Sequence, residues 1–123
     1  MIYEVSRNYF ALCKEHNSVF YFGEDVDWYD GINNSRAGLM MPGIALVDSR
    51  YYQETALDVA IDRAEIMSLN ETVDTPAGKF VNCMKENDTD GLDPEEAAYR
   101  YYGPRIGQVR DDNMNLVSYG YIN

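Results

Sequence analysis

The stretch Asp62-Arg63-Ala64-Glu65-Ile66-Met67-Ser68-Leu69-Asn70-Glu71-Thr72-Val73-Asp74-Thr75-Pro76-Ala77-Gly78-Lys79-Phe80-Val81-Asn82-Cys83-Met84-Lys85 decides how this chain folds. At its centre, Thr75-Pro76-Ala77-Gly78 is a turn with a mechanism. Pro presets φ at the second position and Gly takes the last. Phe80 to Lys85 reads as the strand returning from that turn, so residues 66–85 form a hairpin. The approach to it reads two ways. Leu57, Ile61, Ala64 and Met67 fit a helical stripe, with Asp58, Asp62 and Glu65 largely filling the other side. The alternative is a strand from about Ile61 through Met67, Leu69 and Val73. Pattern alone leans towards the helix.

On the N-terminal side, Ile2 to Lys14 reads as a first strand, turning at Glu15-His16-Asn17-Ser18. Val19 to Phe22 begins the return, reaching Tyr29 past an irregularity at Gly23. Asp30-Gly31 is a hairpin signal, because the two-residue turn needs φ > 0. Ile32 to Val47, broken by Gly38, Pro42 and Gly43, reads as loop with at most a short buried strand. Arg50 to Thr55 resumes as strand. On the C-terminal side, Asp93-Pro94-Glu95-Glu96 suits one helical turn at most. Ala98–Tyr102, Ile106–Arg110 and Met114–Ile122 read as strands joined at Gly103-Pro104 and Asp111-Asp112-Asn113. Eleven tyrosines recur in short runs broken by turn formers, the texture of an antiparallel β protein.

The 123 residues suit one domain spanning 1–123. Ten Lys and Arg against 21 Asp and Glu give a net charge of -11. That balance argues against a nucleic-acid partner, which needs a basic face to displace counterions. It also disfavours attachment to anionic lipid by charge. The longest charge-free stretch, residues 37–47, contains Pro42 and two glycines, so no membrane span is expected. No basic start and apolar core precede a small-residue cleavage site, so the sequence reads without a signal peptide. The acid gathers around residues 24–30 and 86–96, beside Asp30-Gly31 and Asp90-Gly91. Both clusters read as a solvated rim.

Cys13 and Cys83 form no metal-binding or redox pair. They bridge if their strands are neighbours in an oxidising compartment; two half-buried free thiols are at least as good a reading. Glu86 to Ala97 fails as an EF-hand because Ala97 stands where a bidentate Glu is required. An irregular calcium site at Asp88, Asp90 and Asp93 competes with a solvated turn. His16, in a polar turn, is a poor place to hold a catalytic base, and no catalytic residue is assigned. Gly103-Pro104-Arg105-Ile106-Gly107 lacks a phosphate-loop ending and reads as a β-turn. Trp28-Tyr29, Tyr51-Tyr52 and Tyr101-Tyr102 offer rings to an apolar or sugar-like ligand. The simpler account gives each pair one core ring and one surface ring. Leu39, Met40 and Met41 are either an adaptable binding segment or a buried crossing.

Taken in order, Tyr21 to Asp27, Gly38 to Gly43, Arg50 to Glu54, Asp62 to Ile66, Thr75 to Phe80 and Tyr101 to Val109 are recognisable together. The sequence resembles a widespread bacterial family of uncharacterised, mostly exported β-domains, distantly similar to lipoprotein-carrier half-barrels. The resemblance implies an extracytoplasmic location, with a cytoplasmic one as the alternative. It also implies that Asp62 to Thr75 is a strand, against the periodicity. Family members typically carry further strand sequence before the region matching Glu4 to Phe10.

The expected fold is therefore all-β: a single strongly curved antiparallel sheet of about seven or eight strands. The leading functional expectation is a non-catalytic binding or interaction module without cofactor. It would take an apolar, lipid-like small molecule on a concave face bearing Trp28, Leu39, Met40, Met41, Tyr51 and Tyr101. A homo-oligomer joined through an edge strand is the alternative, and a metal-dependent enzyme ranks third.

Overall fold

Eleven strands and no helix occur among the described residues, 5–93 and 95–122, of the computed structural model. They are β1 (Asn8–Leu12), β2 (Val19–Glu24), β3 (Trp28–Tyr29), β4 (Arg36–Met41), β5 (Arg50–Tyr52), β6 (Glu54–Thr55), β7 (Asp62–Thr75), β8 (Gly78–Asp90), β9 (Ala97–Gly103), β10 (Gly107–Asp111) and β11 (Met114–Asn115). All pairings are antiparallel, but the strands divide between two sheets where one was expected. The first has the order β1-β2-β4-β6, with β3 against β2; the second runs β11-β10-β9-β8-β7-β5. Neither is closed or strongly curled.

The long β7–β8 hairpin is the spine of the second sheet, and its turn falls at Thr75-Pro76-Ala77-Gly78. Thr75 Oγ1 accepts the Ala77 N–H at 3.1 Å and donates to the Gly78 carbonyl at 3.1 Å. Asp62 to Thr75 is strand throughout, so the helical stripe over 57–67 does not form a helix. Ala64, Ile66 and Val73 point inward from β7 and are buried. The stripe fails because its polar members pair across a ladder: Asp62 lies opposite Asp90 and Glu65 opposite Asn87.

Elsewhere the corrections are local. The first strand is shorter than expected, beginning at Asn8, and Met1 to Glu4 lie outside the described residues. Its turn is as read: Asn17, with φ 58°, donates to the Cys13 carbonyl at 2.8 Å. The irregularity at Gly23 is a bulge, since Tyr9 pairs with Gly23 and Phe10 with Tyr21. The chain does not run on to Tyr29 but turns at 25–27, Val26 taking φ 67°, and β3 folds back on β2. Asp30-Gly31 opens a wider loop instead of a two-residue hairpin, closed by Gly31 N–H to Ser35 O at 2.9 Å. The region read as irregular holds β4, central between β2 and β6. Pro94 of the expected helical turn lies outside the described residues; Asp93, Glu95 and Glu96 form no helix. Met114–Ile122 shrinks to the two residues of β11. Gly103 to Ile106 is the expected β-turn, with Ile106 N–H on Gly103 O at 3.1 Å and Arg105 at φ 64°.

The sheets meet where β5 passes into β6. Gln53 separates the two strands and hands the chain from one sheet to the other. Gly38 lets this happen: a Cβ there would stand 1.9 Å from the Gln53 carbonyl oxygen. Each sheet carries a small apolar cluster. Tyr21, Trp28 and Ala56 fill the first, packed by Met40 and Ala60. Val73, Cys83 and Val109 fill the second, with Phe80, Tyr101, Ile106 and Leu116 against them. Gly38→Ala is expected to force the strands apart and cost about 1–3 kcal/mol, read as a lowered urea midpoint at unchanged m-value.

Candidate functional site

Where the sheets meet, on the inner face of the second, lies a polar junction in which the chain concentrates its buried chemistry. Glu86 and Asp88 alternate onto the inner face of β8, and both are buried, Glu86 completely. Glu86 accepts from the Tyr51 hydroxyl and, at 3.1 Å, from Gln53 Nε2. Gln53 Nε2 also reaches the Met40 carbonyl of the first sheet at 3.3 Å. One amide thus ties β4 to β8. Arg100 comes from β9, its Nε 3.0 Å from Asp88 Oδ2 and 3.4 Å from Asp111 Oδ1.

The Asp88 oxygens nonetheless accept no hydrogen bond among the described residues. Two neighbouring carboxylates can hydrogen-bond only if one keeps a proton. Burial first, and then its contact with Glu86, pushes the Asp88 carboxyl up to about 9, with Arg100 opposing. A second pair sits beside it. Trp28 Nε1 donates to Glu54 Oε2 at 2.8 Å, and burial followed by a shared hydrogen bond with Asp62 pushes Glu54 up to about 8. Burial likewise pushes the Tyr51 and Tyr102 phenols upward, so both stay protonated. Glu86 itself is sealed from solvent, while Asp62, Asp88 and Arg100 line an open cleft of about 360 Å³. The geometry of the buried group suits holding two sheets together.

The acidic run read as solvated is thus half interior. Asp88, Asp90 and Asp93 are not brought together as ligands. Asp88 is buried beside Arg100, Asp90 Oδ1 accepts the Leu92 N–H at 2.8 Å, and Asp93 is exposed beyond the strand. Among the described residues, no group of three or more Asp, Glu, His or Cys side chains could hold a metal ion. Of the two readings of Cys13 and Cys83, the bridge is not formed. Both thiols are free, Cys13 just past β1 of one sheet and Cys83 buried within the other. His16 is an exposed turn residue whose Nδ1 faces the Ser18 N–H at 3.4 Å.

Of the rings and methionines singled out for a ligand, Trp28 and Met40 meet in the first apolar cluster and Tyr101 packs on the second. Trp28 is buried edge-on against Tyr21, and Tyr51 is engaged by Glu86. Leu39 and Met41 are half-buried in β4. Trp28 with exposed Tyr29, and Tyr51 with exposed Tyr52, follow the one-in, one-out arrangement.

A different feature stands out at the far edge of the first sheet. All five residues of β1, Asn-Tyr-Phe-Ala-Leu, are exposed. Phe10 stacks on Tyr21 with centroids 4.9 Å apart, yet remains 51% exposed, and Leu12 is 60% exposed. Cys13 N–H donates to Ser18 O, so alternation turns the Ala11 amide towards β2 and those of Phe10 and Leu12 outward. Comparison with known protein families, curated proteins and solved structures finds no match. Among the described residues, no helix is long and apolar enough to cross a membrane.

The junction makes stability pH-dependent. Native Asp88 and Glu54 keep protons that their unfolded counterparts, with ordinary values of 3.8 and 4.5, have lost at neutral pH. The native state then binds more protons, so stability falls as pH rises from about 4, and the loss is complete above about 9. Thermal melts should show Tm declining between pH 6 and 9. In Glu86→Gln, which removes the like charge beside Asp88, the decline should be shallower.

Proposed function

We propose that this chain is a non-catalytic interaction module whose partner is a second copy of itself, joined through the open edge of β1. The observation that carries the reading is an uncharged, apolar edge strand in a chain of net charge -11. Edge strands are usually kept apart by charge, proline or brevity. The bulge opposite Tyr9–Phe10 twists β1, but its five residues include no charge and no proline. The other outermost strands are shorter: β6 and β11 have two residues each, and β5 has three, with Arg50 among them.

Surface area is compatible with the same reading. The chain exposes 8689 Å², against about 6,700 Å² expected for a compact monomer of this mass. The excess is spread along the chain, with the largely exposed segment 112–122 contributing to it, and a standard interface takes about 800 Å² from each partner. Pairing about a twofold axis at Phe10 sets Phe10 against its symmetry mate and Asn8 against Leu12. The outward amides of Phe10 and Leu12 then continue the ladder, and the exposed side chains of both residues gain cover.

Light scattering after size exclusion should show a concentration-dependent dimer. Phe10→Pro removes an outward donor without touching the β1–β2 ladder, and Phe10→Lys sets like charges opposite each other. Each should raise the dimer Kd by about tenfold or more while leaving the circular dichroism spectrum unchanged. A wild-type chain that stays monomeric at about 100 μM, or a dimer indifferent to both substitutions, would overturn the reading.

A further inference from the structure

The second sheet has an outer face whose charge opposes that of the whole chain. Ala64, Ile66, Glu86 and Asp88 are buried inward, so alternation places Arg63, Glu65, Asn87 and Thr89 outward. The register builds rows across this face. Tyr52 lies opposite Arg63 and Arg63 opposite Thr89; Arg50 lies opposite Glu65 and Glu65 opposite Asn87. The next row sets Lys85 beside Tyr101 and Tyr101 beside Arg110. These rows hold four cations and one carboxylate, in a chain with only ten bases.

Most of those cations are committed. Arg50 Nη2 lies 3.3 Å from Glu65 Oε1. Lys85 sits 4.4 Å above the Tyr99 ring, and Arg110 bonds the Asp74 carbonyl and Asn115. Arg63 is exposed and, among the described residues, has no ion-pair or hydrogen-bond partner. It borders an open cleft of about 360 Å³ shared with Arg50, Tyr52, Glu65, Asn87 and Thr89. That volume is at the lower end for small-molecule sites. Tyr52 is 53% exposed at its side.

We propose that this cleft binds a carboxylated sugar ring of the uronic-acid class. The free guanidinium of Arg63 takes the carboxylate as a two-pronged pair. The exposed face of Tyr52 takes the ring. Glu65 supplies an acceptor and Thr89 a hydroxyl for the sugar hydroxyls. A single uncommitted cation suits a single negative charge, while Glu65 at the wall repels a dianionic phosphate and the net charge repels a polyanion. An apolar ring would leave Arg63 without a counter-charge.

The test is a titration of isotope-labelled protein with D-glucuronate to about 50 mM, followed by amide chemical shifts. D-glucose supplies the ring without the charge, and inorganic phosphate the charge without the ring. Glucuronate should shift amides at 50–52, 63–65 and 87–89 with a millimolar Kd, and both controls should bind at least about fivefold more weakly. Arg63→Gln and Tyr52→Ala, both at exposed positions, should each weaken binding by about tenfold while other resonances stay in place. Absent shifts, shifts elsewhere, or an unchanged Kd in Arg63→Gln would overturn the proposal. Glucose or phosphate binding as tightly as glucuronate would overturn it too.

Discussion

A carboxylate with no exposed surface, Glu86, is the constraint around which the two sheets are arranged. A buried charge is tolerable only where donors are fixed around it. Here Tyr51 comes from β5 and Gln53 from the link between β5 and β6. Gln53 can serve only if its backbone crosses between the sheets at close range, which Gly38 permits. Its amide then also engages the Met40 carbonyl. The position of the first sheet on the second thus follows from satisfying one carboxylate, with the Tyr21–Trp28–Ala56 cluster packed within the first sheet.

The same requirement explains why protons are retained next door. Asp88 and Glu54 face other carboxyls away from water, where a second negative charge is far costlier than a bound proton. Part of the formal charge of -11 is therefore not expressed in the native state at neutral pH. With Asp62, Glu86 and Asp88 on the inner face of the second sheet, its outer face is left to Arg50, Arg63, Lys85 and Arg110. A chain acidic in total thus presents a locally basic face beside exposed tyrosines.

How much of this was legible depends on what each signal measures. The turn at Thr75 to Gly78 was readable because proline and glycine act through local sterics that persist in any fold. The strand at Asp62 to Thr75 was misread by periodicity because its five apolar residues are split between buried Ala64, Ile66 and Val73 and exposed Met67 and Leu69, and are outnumbered by polar ones that pair across a ladder. β4 was missed because Gly38 and Pro42 look like breaks, although Gly38 is there for a close approach of backbone. The site was missed for a related reason. From Lys85 to Asp90 the sequence is wholly polar, so alternation in hydrophobicity carries no trace of which side chains turn inward. Arg100 gave no signal alone; its role appears only once β9 lies beside β8.

The sequence by itself determined the all-β class, the main turns and a composition that requires many solvated carboxylates, because these rest on local backbone preference and on totals. Tertiary structure alone decided the division into two sheets, the burial of Glu86 and Asp88, and the collection of cations on one face. Those outcomes depend on register between strands far apart in the chain. A one-residue slip would exchange inner and outer faces, and nothing in the local sequence of β8 says which of its faces meets Gln53.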